Sequence, residues 1–495
     1  MEQFSFAYQQ IDGTIWAFAS SLLMISLFFK FNRFWSVRNF DLLLIILLAP
    51  SLIMVHKGMT MSNQADAAQQ SPVLTASQTH SGTLTATPTS STTPAPLSTA
   101  WQSSPTIQPQ APEIKQAGID LQRRGFIGLF MVGSIYLIRM LLDPLLVRRP
   151  LLDPNLSLGG LIFLGICLML LLFANIVSSK PTPEELSMVK STISMAKREA
   201  ADDADTQYLR KRGPGYQMLF LVAVISVFSD VEDANNTTTG ETGAQANIER
   251  YILVLKSLAI ISQSLIVAGL IFFAIQNFNS LYIGVGIASI YLMLPYTAIY
   301  TGHVEHALPS ALMLWALVCF RKPALAGIFI GLATGASYYP LFLLPLWVSF
   351  YWDRGAKRFS IFFAVTILLC VCSLIFTSIS GSDFLQQLQK MFGFWQPLME
   401  GLEGIWALGW DRVWRLPLLI AFVILSFSFA AWPTTKDIGI LVAYSAAIMI
   451  AVQFWHGFGG GLFAAWYLPM MLLAIFRTNV AGRTAVMELA ELRRT

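Results

Sequence analysis

Residues 137–155 read LIRMLLDPLLVRRPLLDPN and set two carboxylates, Asp143 and Asp153, around an Arg148–Arg149 pair. Arg139 and Asp143 are four apart and share one helix face. A carboxylate in such a patch can take a proton from an attacking hydroxyl, and paired guanidiniums can hold a phosphate in bidentate fashion. The same residues can equally neutralise one another and fix a loop at a membrane edge.

A second group lies in YTGHVEHALP, residues 300–309, where His303, Glu305 and His306 fall within four positions. Two histidines and a glutamate suit proton transfer or metal ligation. A catalytic zinc site takes three protein ligands; the spacing is not HExxH, and His456 in FWHGFGGG is the only obvious distant addition. No cofactor is expected, and a divalent metal remains an option without a ligand set. Tyr338 and Tyr339 read either as binding residues or as members of an interfacial aromatic belt. Gly459–Gly461 permit close backbone approach to a ligand or a tight turn between helices. They lack the lysine and serine of a phosphate-binding P-loop. Residues 384–408 are amphipathic and aromatic, as in a segment lying on a membrane surface.

The elements that carry these groups must be membrane helices. The 495-residue chain is 55% hydrophobic and 12% charged, about half the charge of a soluble domain. Apolar runs at 14–31, 39–56, 125–142, 158–178, 216–229, 251–276, 281–299, 306–320, 324–337, 339–352, 359–379, 414–432, 437–455 and 461–476 predict an all-α polytopic bundle of about 12–14 membrane helices. Cys167, Cys319, Cys370 and Cys372 all lie inside apolar runs and read as packing residues. The net charge of +4 gives no case for nucleic acid.

Four regions follow. Residues 1–57 form an N-terminal hairpin. Residues 58–115, rich in Ser, Thr, Pro and Gln, read as a disordered linker. Residues 116–477 form the main bundle, with a cytoplasmic surface helix over 180–213 whose Thr182-Pro183-Glu184-Glu185 start resembles a cap. Residues 478–495 form a cytoplasmic tail. Lys and Arg accumulate on cytoplasmic loops. Taking Arg210-Lys211-Arg212, Arg321-Lys322, Arg354, Lys436 and Arg477 as inside puts 143–157, 300–305, the Tyr338 turn and 456–460 together outside. Residues 321–354 must then enter and return as a hairpin turning near Ser337–Pro340, because the residue before proline disfavours helix. The first hairpin resists the rule, since Lys30, Arg33 and Arg38 favour an inside turn. No spanning run carries the buried acids and arginines of an ion path.

Residues 301–355, TGHVEHALPSALMLWALVCFRKPALAGIFIGLATGASYYPLFLLPLWVSFYWDRG, resemble a pattern in GT-C integral-membrane glycosyltransferases, most of all the bacterial polyprenol-phosphate-mannose-dependent mannosyltransferases. The matching features are Gly302-His303, Arg321-Lys322-Pro323, Ala326-Gly327 with Gly331-Leu332-Ala333, and Tyr339-Pro340. Ser337 stands where members often carry a lysine. The resemblance implies a GT-C-like fold in a bacterial inner membrane and an exoplasmic active face. It also implies a lipid-linked sugar donor within the membrane lipids, and a carboxylate in an early exoplasmic loop as base. In the orientation above Asp143 takes that role, with Arg148, Arg149, Asp153, His303, Glu305, His306, Tyr338, Tyr339 and His456 as substrate-binding residues. The alternatives are a non-catalytic membrane subunit and a lipid or solute transporter.

Overall fold

A bilayer offers no partner for backbone N–H and C=O groups, so long apolar runs cross it as helices. The computed structural model describes residues 12–76, 111–145, 153–179, 241–300, 302–377, 384, 385, 388 and 401–477. Among them no strand occurs. The helices are α1 (Gly13–Phe28), α2 (Val37–Ala76), α3 (Ala111–Leu142), α4 (Leu158–Ser178), α5 (Glu241–Phe278), α6 (Leu281–Met293) and α7 (Pro295–Tyr300). They continue as α8 (Val304–Val318), α9 (Pro323–Ala336), α10 (Leu344–Phe350), α11 (Ala356–Thr377), α12 (Arg415–Ala431), α13 (Ile438–Trp455) and α14 (Leu468–Phe476). Among the described residues seven helices are long and apolar enough to cross a membrane, with five shorter apolar ones beside them. The chain is an all-α polytopic helix bundle.

Helix α13 is its centre. It is apolar all round, and 89% of it is buried, against 28% for α4 and 22% for α12. The Asp437 carboxylate caps its first turn, accepting from the Ile440 amide at 2.6 Å. The outer helices show large apolar side chains outward, such as Phe163 at 70% exposure and Ile424 at 64%, as lipid contact requires. Helices α2 and α3 pack closely because glycines meet. A Cβ on Gly58 would stand 2.6 Å from the Gly118 carbonyl oxygen, and one on Gly125 2.7 Å from that of Ser51.

That packing moves one expected boundary. Helix α2 continues to Ala76 and α3 begins at Ala111, so both ends of the expected 58–115 linker are helical. Met, Gln and Ala in MTMSNQADAAQQ are good helix formers, and Lys115 pairs with Asp66 at 2.7 Å between the two extensions. Residues 77–110, the 180–213 helix, the 216–229 span, the 478–495 tail and most of 384–408 lie outside the described residues. The 321–354 hairpin is present: α9 rises, the chain turns at Ser337–Pro340, and 339–350 returns. The Tyr351 hydroxyl closes its base by donating to the Phe320 carbonyl.

The helices run between two chemically different ends. At one end Lys30 pairs with Asp153 at 2.9 Å. Arg38 donates to the Phe28 carbonyl at 3.1 Å, and Lys436 to Ser349 Oγ at 2.8 Å. Arg33, Arg321, Lys322, Arg354, Lys357, Arg358 and Arg477 also belong to the loops and helix ends of this basic end. At the other end Arg415 donates to the Trp455 carbonyl at 2.8 Å and Trp406 to that of His456 at 3.0 Å.

One expectation about sidedness is overturned here. The Lys256 ammonium donates to the Val177 and Ser179 carbonyls at 2.7 and 2.8 Å. The chain therefore leaves α4 and enters α5 at the same end. The expected orientation counted 216–229 as a single crossing, which inverted everything before it. With that parity corrected, Lys30, Arg33 and Arg38 join Arg321-Lys322, Arg354, Lys436 and Arg477, and Asp143 moves to their end.

Candidate functional site

Asp143 directly follows α3, in a short 3-10 turn, and has no exposed surface. One of its oxygens accepts from Arg139 Nη1 at 3.1 Å, the other from Arg477 Nη2 at 2.7 Å. Arg139 also holds Asp41 in a two-pronged pair, Nε to Oδ1 at 3.2 Å and Nη2 to Oδ2 at 3.1 Å. Tyr136 fastens the same turn by donating to the Asp41 carbonyl at 2.9 Å. Asp41, Arg139, Asp143 and Arg477 thus alternate in sign and are all largely buried. Removing any partner would strand a charge in a low-dielectric setting. The expected exposure of Asp143 is corrected: its side chain is fully buried and each oxygen faces a guanidinium. The statement that no span carries buried acids and arginines is corrected too, because Asp41 and Arg139 lie within α2 and α3.

The position of this network decides what it can contact. Arg477 lies against the start of α13, where a Cβ on Gly439 would fall on its guanidinium. His456 caps the other end of the same helix. Eighteen residues of α13 at ~1.5 Å rise separate the two by about 27 Å. Asp143 therefore cannot share a pocket with the histidines. Asp153, expected as a binding residue, pairs with Lys30 at the Asp143 end, while Arg148 and Arg149 lie outside the described residues.

The other expected residues do come together, at the far end. His306 and Tyr296 share a hydrogen bond of 2.6 Å between Nδ1 and the phenol. The His306 ring stacks on Phe463 with centroids 4.4 Å apart, and Phe463 lies 4.5 Å from His456. His456 in turn lies 4.4 Å from Tyr339, which stacks on Tyr338 at 4.0 Å. His303, half-buried at the start of α8, is 5.6 Å from His306, and Glu305 Oε1 is 3.9 Å from His306 Nε2. His456 Nδ1 accepts the Phe458 amide at 3.1 Å, which places the ring proton on Nε2. Burial pushes the Tyr338 phenol up to about 12, so it is un-ionised at neutral pH.

The glycine run takes the structural role of the two open to it. Gly459 and Gly461 have φ of 76° and 95°, and a Cβ on Gly460 would stand 2.2 Å from the Gln453 carbonyl oxygen. The run is a tight turn clasped by Gln453, whose Oε1 accepts from the Gly461 amide at 3.0 Å. Among the described residues no three of His, Cys, Asp and Glu gather as a metal ligand set.

Sequence reasoning missed Tyr296, Phe463 and Trp466, which tie the histidines together. It also missed Asp12, His56 and Lys57, which line an open cavity at the same end. No spacing links these residues; only the antiparallel return of α1, α7 and α8 does. No protein-family model matches the chain, and no curated protein or solved structure matches it. Function is therefore carried by the geometry of the site itself.

Proposed function

We propose that this protein is a membrane glycosyltransferase of GT-C type that transfers sugar from a polyprenyl-phosphate donor, and that its reaction belongs to the end opposite the basic one. The observation that supports this is convergence. Gly302-His303 and Tyr339-Pro340, the two turn elements of the resemblance, meet at one end with Glu305, His306 and His456. In this reading Glu305, partly exposed in the first turn of α8, takes the proton from the acceptor hydroxyl. His303 and Tyr338 orient the sugar. Lys and Arg gather on cytoplasmic loops, so the basic end faces the cytoplasm of a bacterial inner membrane and the histidine end is exoplasmic.

The test is sugar transfer from a polyprenyl-phosphate donor by the purified full chain. Glu305→Gln is expected to lower turnover about 10²-fold, the usual share of a positioned base. Transfer by the wild type that is unchanged in Glu305→Gln removes Glu305 from that role, and no transfer from any such donor removes the reading.

One observation favours a second reading, a non-catalytic membrane subunit. The rings of His306, Phe463, His456 and Tyr339 fill the centre of the cluster by stacking on one another. A transporter gains less support: between the two ends, α13 carries only Tyr444, Ser445 and Gln453 as polar residues.

A further inference from the structure

The N-terminal hairpin, which lies outside the resemblance, carries a feature that the transfer reading does not use. A cavity of about 440 Å³ opens at the histidine end between α1, α2, α4 and α7, with Asp12, Trp16, His56, Lys57 and Asn175 in its wall. It adjoins an apolar groove of about 580 Å³ between α1 and α2, and Thr14 and Ile53 line both. On the α1 side the groove presents Ala17, Phe18 and Ser21, and on the α2 side it runs from Ile53 to Phe40. Thirteen residues of helix at ~1.5 Å each make it about 20 Å long, more than the roughly 15 Å of one leaflet's hydrocarbon.

The two parts differ in polarity in the way the two parts of a lipid do. The cavity wall holds charge of both signs. Hydrogen bonds from Thr14 hold the Asp12 carboxyl below the usual carboxylate range, so it is an anion at neutral pH. Lys57 supplies the cation, close enough for the two charges to interact. The indole N–H of Trp16 is buried without a protein partner, and such a donor needs an acceptor. In the groove Pro50 has no N–H to give the Ile46 carbonyl, and both residues line it.

We propose that this cavity and groove bind one zwitterionic aminophospholipid, with its phosphate at Lys57 and His56, its ammonium at Asp12, and one acyl chain between α1 and α2. Charge complementarity selects this occupant. A purely anionic headgroup meets Lys57 but places a second negative charge beside Asp12, and like charges repel. The inference is independent of the glycosyltransferase reading, since it concerns binding alone.

The test is native mass spectrometry of the purified full chain in detergent, titrated with phosphatidylethanolamine, phosphatidylglycerol and the chain-free glycerophosphoethanolamine. One phosphatidylethanolamine per chain is expected, held at least fivefold more tightly than phosphatidylglycerol. Lys57→Met should weaken both lipids at least fivefold, with Lys57→Arg restoring them. Asp12→Asn, which keeps a side chain able to cap α1, should erase the preference for the ethanolamine lipid. Ser21→Trp, which fills the groove, should release lipid while the thermal unfolding midpoint is kept. Equal or tighter binding of phosphatidylglycerol overturns the assignment, as does retention untouched by Lys57→Met and Ser21→Trp. Binding of glycerophosphoethanolamine as tight as that of the lipid overturns the role of the groove.

Discussion

Asp143 shows how one residue type in one spacing serves two purposes. A carboxylate four residues from an arginine suits a base held by a helix, and it suits a buried ion pair equally well. What decides is Arg477, 334 residues further on, whose arrival no local pattern announces. With both oxygens taken, Asp143 holds α3 to the end of α14. Asp143→Leu is expected to cost about 3–5 kcal/mol, since it leaves the Arg477 guanidinium buried and uncompensated. Chemical denaturation in detergent reads that cost. The double variant Asp143→Leu with Arg477→Met should recover most of it, because no charge then lacks a partner. A double variant no more stable than the single one would show that the cost comes from packing instead.

At the scale of elements, much of the helix layout was legible from composition alone. Apolar runs marked the long helices among the described residues, although 281–299 divides at Leu294 into α6 and α7, and the closely spaced anchors Arg321-Lys322 and Arg354 forced the α9–α10 hairpin. Tyr339-Pro340 marked its turn. Less legible was how far α2 and α3 extend beyond the membrane. That extension comes from a seam between helices, Gly58 against Gly118 and Lys115 against Asp66, which a Ser- and Gln-rich composition conceals. Gly58→Leu is expected to destabilise the chain by about 1–3 kcal/mol, the cost of overpacking a closed contact, read as a lowered unfolding midpoint. A neutral effect would mean that the two helices do not touch there.

Across the whole molecule, the two groups that sequence reasoning placed in one pocket occupy opposite ends. The histidine half of that expectation could be read, because 300–309, 338–340 and 456 follow from helix parity within a part of the chain with well-spaced basic anchors. The Asp143 half could not, because its side depends on the path between α4 and α5, where one crossing more or less inverts everything upstream. The Lys256 contacts to Val177 and Ser179 fix that parity. They also bring Lys30, Arg33 and Arg38 to the same end as Arg321-Lys322, Arg354, Lys436 and Arg477, the clustering on one side that the positive-inside rule describes.

The central claim, that the two ends face opposite sides of a membrane with the histidine end outward, has a direct test. Single cysteines at Asp153 and at Asp411, in a background without the four native cysteines, are exposed on intact cells to a membrane-impermeant maleimide. Labelling at 411 alone, with 153 reacting only after the membrane is opened, is the predicted result. Labelling of both positions from outside would contradict the two-ended arrangement, and labelling of 153 alone would invert the orientation.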